Sequence, residues 1–112
     1  MQQYKYLVSA IMPVYNSALY LAEAIESIKA QSIGFEKIQL MIVNDGSTDN
    51  SADIISAYAQ KHPNIVFIDK KNGGVASARN EGLKYVDGKY VSFPDPDDTI
   101  SENTYENVLA FF

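Results

Sequence analysis

The 112-residue chain contains no cysteine. This absence excludes disulfide bonds, thiolate metal sites and cysteine nucleophiles, and it is compatible with a reducing compartment. We therefore expect a cytoplasmic chain, peripheral to a membrane if a longer parent protein is attached to one.

Positive charge is also scarce. Nine Lys and Arg residues stand against fourteen Asp and Glu residues, which gives a formal net charge of −5. Binding to phosphate backbones requires a concentrated positive surface. We therefore expect no nucleic-acid partner.

Long apolar runs are missing as well. The apolar run nearest the N-terminus, Leu7 to Met12, is interrupted by Ser9 and closed by Pro13. It is too short to span a bilayer or to act as a signal sequence. The sequence predicts no membrane segment.

The composition that remains, 46% hydrophobic and 21% charged, is that of one globular domain over residues 1–112. Short apolar runs without clean alternation predict strands that are covered on both faces, as in a mainly parallel sheet between two helical layers. These runs are Tyr6 to Met12, Ile38 to Val43, Ile65 to Ile68 and Tyr90 to Phe93.

Segments with helical periodicity separate the strands and predict the order βαβαβαβ. They run from about Ala18 to Ile28, Ser51 to His62 and Val75 to Tyr85. In the third of them, one face carries Val75, Ala78, Gly82 and Tyr85, and we expect this face to pack on the sheet. A fourth helix from about Ser101 places Tyr105, Val108, Leu109 and Phe112 on one apolar stripe. We expect this stripe to fold back on the sheet or to be covered by a missing C-terminal half, and if it is uncovered it would support self-association.

Ligands of parallel α/β sheets bind beyond the carboxyl ends of the strands. Polar and acidic residues are concentrated in the four segments that follow the predicted strands. These segments are Pro13 to Asn16, Asn44 to Asp49, Asp69 to Gly74 and Pro94 to Asp98.

Three carboxylates within four positions, Asp95, Asp97 and Asp98, form the sharpest of these features. They repel one another unless a hard divalent cation holds them, and their oxygen ligands suit Mg²⁺ or Mn²⁺. A solvated acidic turn is the alternative. An EF-hand loop is excluded because Ile100 occupies the position where its sharp turn requires glycine.

Nucleotide-binding glycine motifs and catalytic triads are not found. The segment around Gly73 and Gly74 fits neither dinucleotide-binding nor P-loop spacing. Its amides and Arg79 either meet an anion or form a flexible start to a helix with a surface arginine. Lys70 and Lys71 are interpreted as a solvated pair, and the single histidine, His62, is assigned no catalytic role.

Four motifs together, PVYN, VNDGSTDNS, NGGVASARNEGL and YVSFPDPDD, resemble in order and spacing the N-terminal half of family 2 glycosyltransferases. The resemblance covers about Ser9 to Asp98. It implies the GT-A fold, a Rossmann-like three-layer α/β sandwich, and it implies that this half binds the nucleotide-sugar donor.

The resemblance also implies roles for individual residues. Pro13 and Tyr15 match the loop that lines the nucleobase, and Asp45 matches the carboxylate that reads it. The basic residue near base and diphosphate corresponds to Arg79, with Gly74 in the adjoining substrate-binding loop. The metal-binding region corresponds to Asp95 on the substrate side and to Asp97 and Asp98 as ligands of Mg²⁺ or Mn²⁺.

By the same resemblance, the activity is inverting transfer of a sugar, with UDP as the commonest carrier, to a saccharide or other hydroxyl acceptor in polysaccharide or glycoconjugate synthesis. The family's acceptor half and carboxylate base follow the acidic region. We therefore expect no catalytic base within this chain, the base beyond Phe112, and donor binding without turnover. A non-catalytic nucleotide-sugar-binding or protein-interaction module is the alternative.

Overall fold

Four parallel strands form the centre of the fold. The computed structural model describes residues 3–110, and its strands lie in the order β3-β2-β1-β4. The strands are β1 (Tyr6–Val14), β2 (Ile38–Asp45), β3 (Ile65–Lys70) and β4 (Gly88–Ser92). The helices are α1 (Ala18–Lys29), α2 (Ser51–Lys61), α3 (Val75–Leu83) and α4 (Thr104–Leu109), with a 3-10 turn at Phe35–Lys37. The predicted α/β order and parallel sheet are confirmed.

Alternating side chains of β1 and β2 feed two separate cores, one on each face of the sheet. Helices α1, α2 and α4 cover the face that carries Met12 and Ile42. Helix α3 covers the opposite face, which carries Ile11 and Met41. Both central strands are therefore buried along almost their whole length, which explains their unbroken apolar runs. The edge strand β4 differs, because buried or half-buried residues alternate there with exposed ones.

The strands extend further than their apolar runs predict, and this corrects several boundaries. Pairing between β2 and β3 continues to Asp45 and Lys70, so these residues end strands rather than lie in loops. Pro13 lies within β1, opposite Val43. It is tolerated because pairing of β1 with β4 ends at Ala10, which leaves one side of β1 without a neighbouring strand.

Helix α3 lies close to the sheet at Gly82. A Cβ atom at this position would lie 2.5 Å from Cγ2 of Ile11, which is fully buried. The predicted buried face of α3 is confirmed at Ala78 and Gly82, but it is wrong at Val75 and Tyr85, which are exposed. The helix ends at Leu83, so its contact with the sheet is shorter than the pattern suggests.

Helix α4 packs back on the sheet through Tyr105 and Leu109, and Gln31, which follows α1, makes polar contacts with α4 and with the turn before it. The amide of Gln31 donates to the carbonyl of Ser101 and its Oε1 accepts from the Tyr105 amide. Tyr105 is buried, whereas Val108 is 50% exposed. Phe111 and Phe112, the end of the predicted apolar stripe, lie outside the described residues, so self-association stays a prediction.

Membrane-spanning helices do not occur between residues 3 and 110. The longest helix, α1, has 12 residues. None in this range combines the length with the apolar composition that crossing a bilayer requires.

One buried polar cluster links the sheet to the connection between α3 and β4. The Oε1 atom of Gln39 accepts from the Ser9 hydroxyl at 2.6 Å and from the Asp87 amide at 2.9 Å. Its Nε2 atom donates to the Tyr85 carbonyl at 2.9 Å. Gln39 therefore satisfies three buried or half-buried polar groups and fixes the start of β4.

Replacing Gln39 with methionine should lower the free energy of unfolding by about 2 to 3 kcal/mol, because three polar groups lose their partner. Urea denaturation measures this change. Gln60→Met, on the exposed surface of α2, is the matched control and should change stability by less than about 0.5 kcal/mol. Equal stability of the two variants would contradict the assigned role of Gln39.

Candidate functional site

The register between β2 and β3 sorts four polar residues onto the two faces of the sheet. Asn44 is opposite Asp69, and Asp45 is opposite Lys70. Because successive side chains point to opposite faces, the first pair lies on the α2 side and the second on the α3 side. The Asn44 amide donates to Asp69 Oδ1 at 3.0 Å, and Lys70 Nζ donates to Asp45 Oδ1 at 2.9 Å.

Asp45 is the most heavily bonded of these residues. Besides Lys70, its carboxylate accepts from the Gly73 amide through Oδ1 and from the Gly74 amide through Oδ2, both at 2.9 Å. The carbonyl of Asp45 accepts from the Asn72 side chain at 3.0 Å. Asp45 is only 3% exposed, so a buried negative charge anchors the whole loop between β3 and α3.

The same contacts determine the ionisation of Asp45. Burial by itself raises the pKa of this carboxyl group, but hydrogen bonds from Lys70, Gly73 and Gly74 outweigh it. The pKa of Asp45 is therefore lower than that of a free aspartate. The group is a carboxylate at neutral pH, able to accept hydrogen bonds and not to donate them.

These contacts correct the interpretation of the glycine pair. The amides of Gly73 and Gly74 are bound to Asp45, so they are not free for an external anion. Gly74 has φ +95, in the left-handed region that favours glycine, as it turns into α3. Lys70 is likewise half-buried and paired, not part of a solvated pair.

A second network joins the loops that follow β1 and β2, and sequence reasoning missed it. Asn16 has φ +49, and its Oδ1 accepts from the amides of Thr48 and Asp49. In return, Asp49 Oδ2 accepts from the Ala18 amide and the Ser51 hydroxyl accepts from the Ser17 amide. The first turn of α1 is thus capped by the neighbouring loop. Asparagine at a left-handed turn was the available signal.

These networks order the chain next to two candidate residues at the end of β1, Pro13 and Tyr15. Pro13 is buried at the end of β1, and Tyr15, immediately after the strand, is 53% exposed. The Tyr15 carbonyl accepts from the Ser17 hydroxyl at 3.1 Å. An exposed aromatic ring therefore stands on an ordered turn at the carboxyl edge of the sheet.

Arg79 lies one turn into α3. Its guanidinium carbon is 5.5 Å from the centroid of the Phe93 ring, which follows β4. Its Nε atom is buried, and among residues 3–110 it is the one buried side-chain nitrogen or oxygen without a hydrogen-bond partner. Such a group costs free energy until an acceptor reaches it.

The acidic cluster follows directly after Phe93. Asp95, Asp97 and Asp98 are exposed, and one carboxylate oxygen from each lies within 4.8 Å of the others. An exposed set of oxygen donors fits Mg²⁺ or Mn²⁺, which keep open positions for water and substrate oxygens. The residues therefore fit the expected metal.

A polar cleft of about 510 Å³ lies beside the same strand ends, lined in part by Asn44, Ser47, Asp69 and Lys71. Asp45, Tyr15, Arg79 and the acidic cluster do not line it. These candidate residues thus lie at the carboxyl edge of the sheet but outside the lining of this cleft.

A parallel sheet of this order, with an acidic cluster after its edge strand, is the arrangement of GT-A glycosyltransferases. The sequence profile of Glycosyl transferase family 2 matches residues 9–112. The chain belongs to this family.

Individual relatives agree with that assignment. The chain is 61% identical over 112 residues to the minor teichoic acid biosynthesis protein GgaB of Bacillus subtilis, covering 99% of this chain and 12% of GgaB. Crystal structures of S. aureus TarS 1-349 include a complex with UDP-GlcNAc, with TM-score 0.85 and 34% identity over 94% of this chain and 30% of that one. The mannosyltransferase PcManGT from Pyrobaculum calidifontis, in complex with GDP-Man and Mn²⁺, gives TM-score 0.85 and 26% identity over 95% and 32% of the two chains. This chain thus spans at most about a third of each of these three relatives.

Asp45→Asn should destabilise the fold by about 2 kcal/mol at pH 7, because an amide cannot accept from three donors at once. The folded-state pKa of Asp45 is lowered, so its stabilisation is complete above about pH 4, the value of an unfolded aspartate, and is lost as pH falls through the lower folded value. Urea denaturation of wild type and Asp45→Asn between pH 7 and pH 3 measures their free energies of unfolding. The difference between the two values should narrow only at the lowest pH.

Asp87→Asn is the matched control, since its side chain is exposed. It should change stability by less than about 0.5 kcal/mol at every pH. A difference between wild type and Asp45→Asn that stays constant down to pH 3 would contradict a lowered pKa for Asp45.

Proposed function

We propose that this chain is the donor-binding part of an inverting glycosyltransferase that uses a UDP-sugar. The observation that carries the proposal is the convergence of three carboxylates after β4, next to the Phe93 ring on which Arg79 stacks. The acceptor is a saccharide or another hydroxyl compound in polysaccharide or glycoconjugate synthesis. GgaB, a teichoic acid biosynthesis protein, supports this class of product.

The nucleobase would lie between Tyr15 and Asp45. An exposed ring beside the end of β1 offers a stacking surface. The Asp45 carboxylate can accept a hydrogen bond from a ring N–H of the base. UDP-GlcNAc and GDP-Man, bound by TarS and PcManGT, both carry a base with such a donor.

The diphosphate would lie between Arg79 and the acidic cluster. The buried Nε of Arg79 has no partner in residues 3–110 and can donate to a phosphate oxygen. Asp97 and Asp98 would hold Mg²⁺ or Mn²⁺, with Asp95 on the substrate side. When bound, the cation neutralises the repulsion between acidic loop and diphosphate and stabilises the departing nucleotide.

Transfer would proceed by one displacement at the anomeric carbon. The acceptor oxygen forms the new glycosidic bond as the bond to the diphosphate breaks, and a carboxylate base takes the acceptor proton. Asp45 is assigned to the nucleobase, and the acidic cluster is assigned to the metal and the donor. We therefore place the base outside residues 1–112.

Calorimetric titration with UDP and UDP-GlcNAc in the presence of Mn²⁺ should detect binding that EDTA abolishes. Asp97→Asn or Asp98→Asn should weaken it by about tenfold or more, because each removes a charged metal ligand. Glu106→Gln, an exposed acid on α4, is the control and should leave affinity unchanged. Wild-type affinity in both aspartate variants would remove the metal-site assignment.

The chain alone should bind the donor without transferring sugar, since the base is placed elsewhere. Release of UDP from UDP-GlcNAc, followed by chromatography with and without acceptor, measures this. The full protein should turn over and give a product of inverted anomeric configuration by NMR. Robust transfer by residues 1–112 would show that the base lies within them.

A further inference from the structure

We propose that Lys70 is a positioning residue that makes Asp45 selective for nucleobases with a ring N–H donor. This inference rests on the proposed function, in which Asp45 reads the base. The chemical class selected comprises uracil, thymine and guanine, each of which carries a ring N–H beside a carbonyl. Cytosine has an acceptor nitrogen at the corresponding place and is rejected by a carboxylate.

The proposal begins with the lone pairs of Asp45. Its Oδ1 atom accepts from Lys70 Nζ and from the Gly73 amide, both at 2.9 Å. A carboxylate oxygen accepts about two hydrogen bonds, so Oδ1 is fully used. Oδ2 accepts from the Gly74 amide and keeps one lone pair, which is the acceptor position left for a ring N–H of a base.

Lys70 itself is held rigidly. Its ammonium also donates to the Lys71 carbonyl at 2.6 Å, and its side chain is only 17% exposed. The parallel register fixes Lys70 opposite Asp45. A cation in this position favours the charged carboxylate, and together with the two glycine amides it holds the carboxylate in one orientation.

The other charged groups around Asp45 do not make this contact. Asp69 of β3 lies on the opposite face of the sheet, paired with Asn44. Lys71 is exposed in the loop and contributes its carbonyl to Lys70. Arg79 of α3 stacks on Phe93. Within residues 3–110, the salt bridge to Asp45 comes from Lys70.

The test compares UDP with CDP, both with Mn²⁺, by calorimetry on the chain. CDP shares the ribose, the diphosphate and the metal, so any general effect of removing a charge changes both affinities equally. Lys70→Met should lower UDP affinity by about tenfold and leave CDP affinity within about twofold, so that the preference for UDP falls by about tenfold. Lys70→Arg should restore most of the preference, and Lys71→Met, the neighbouring control, should keep it.

A pH series adds a readout that a purely structural role would not change. Lys70 is one of the groups that lower the pKa of Asp45, so on acidification the UDP affinity of Lys70→Met should begin to fall at a higher pH than that of wild type. The ratio at each pH cancels titration of the nucleotide. Thermal unfolding identifies any variant that does not fold, and Lys70→Gln, which keeps a donor without the charge, then replaces Lys70→Met.

The outcomes separate this inference from the proposed function. If wild type binds neither nucleotide, or Asp45→Asn keeps the preference for UDP, the assignment of Asp45 as base reader fails. A second case is that wild type prefers UDP and Asp45→Asn loses this preference. If Lys70→Met then keeps the preference, or loses affinity for UDP and CDP equally, the inference about Lys70 alone is overturned.

Discussion

The buried carboxylate of Asp45 is the interaction on which the candidate site depends. It ends the second strand of the sheet and binds one ammonium group and two backbone amides. A buried charge is stable only when it is paired and hydrogen-bonded. The loop after β3 satisfies that requirement, and in doing so it acquires a fixed path into α3. The same contacts therefore determine both the conformation of this loop and the ionisation of the Asp45 carboxylate.

The parallel register places a different polar contact on each face of the sheet. On the α2 face, the Asn44 amide donates to Asp69, so these two polar side chains pair with each other. On the α3 face, the contact of Asp45 with Lys70 adjoins the loop between β3 and α3, which Asp45 anchors through the amides of Gly73 and Gly74. Since side chains alternate along a strand, a shift of the pairing by one residue would move each contact to the opposite face. The apolar packing of β1 and β2 against both helical layers opposes such slippage, so the two cores set the geometry of the site.

The sequence predicts the layers of this fold well because apolar periodicity is local information. It also predicts which strand ends carry chemistry, since all four polar segments follow apolar runs. It does not predict the pairing of Lys70, which depends on register with a strand 25 residues away. For the same reason the sequence does not reveal that a distant carboxylate binds the amides of Gly73 and Gly74. Val75 and Tyr85 fit the helical stripe of α3, yet they extend past the part of the helix that reaches the sheet.

Charge is distributed unevenly over the candidate site, and this distribution constrains what it can bind. The acidic cluster is exposed and excludes a bare diphosphate by repulsion, which a divalent cation would reverse. Arg79, in contrast, is a cation that lacks an acceptor, because its Nε atom is buried without a hydrogen-bond partner. An unsatisfied buried donor costs about 1–3 kcal/mol. An anionic ligand with its cation would relieve both unfavourable conditions at once, whereas an anion without a cation, or a cation without an anion, would relieve only one. Under the proposed function, the site would therefore favour the ion pair of metal and diphosphate over either component.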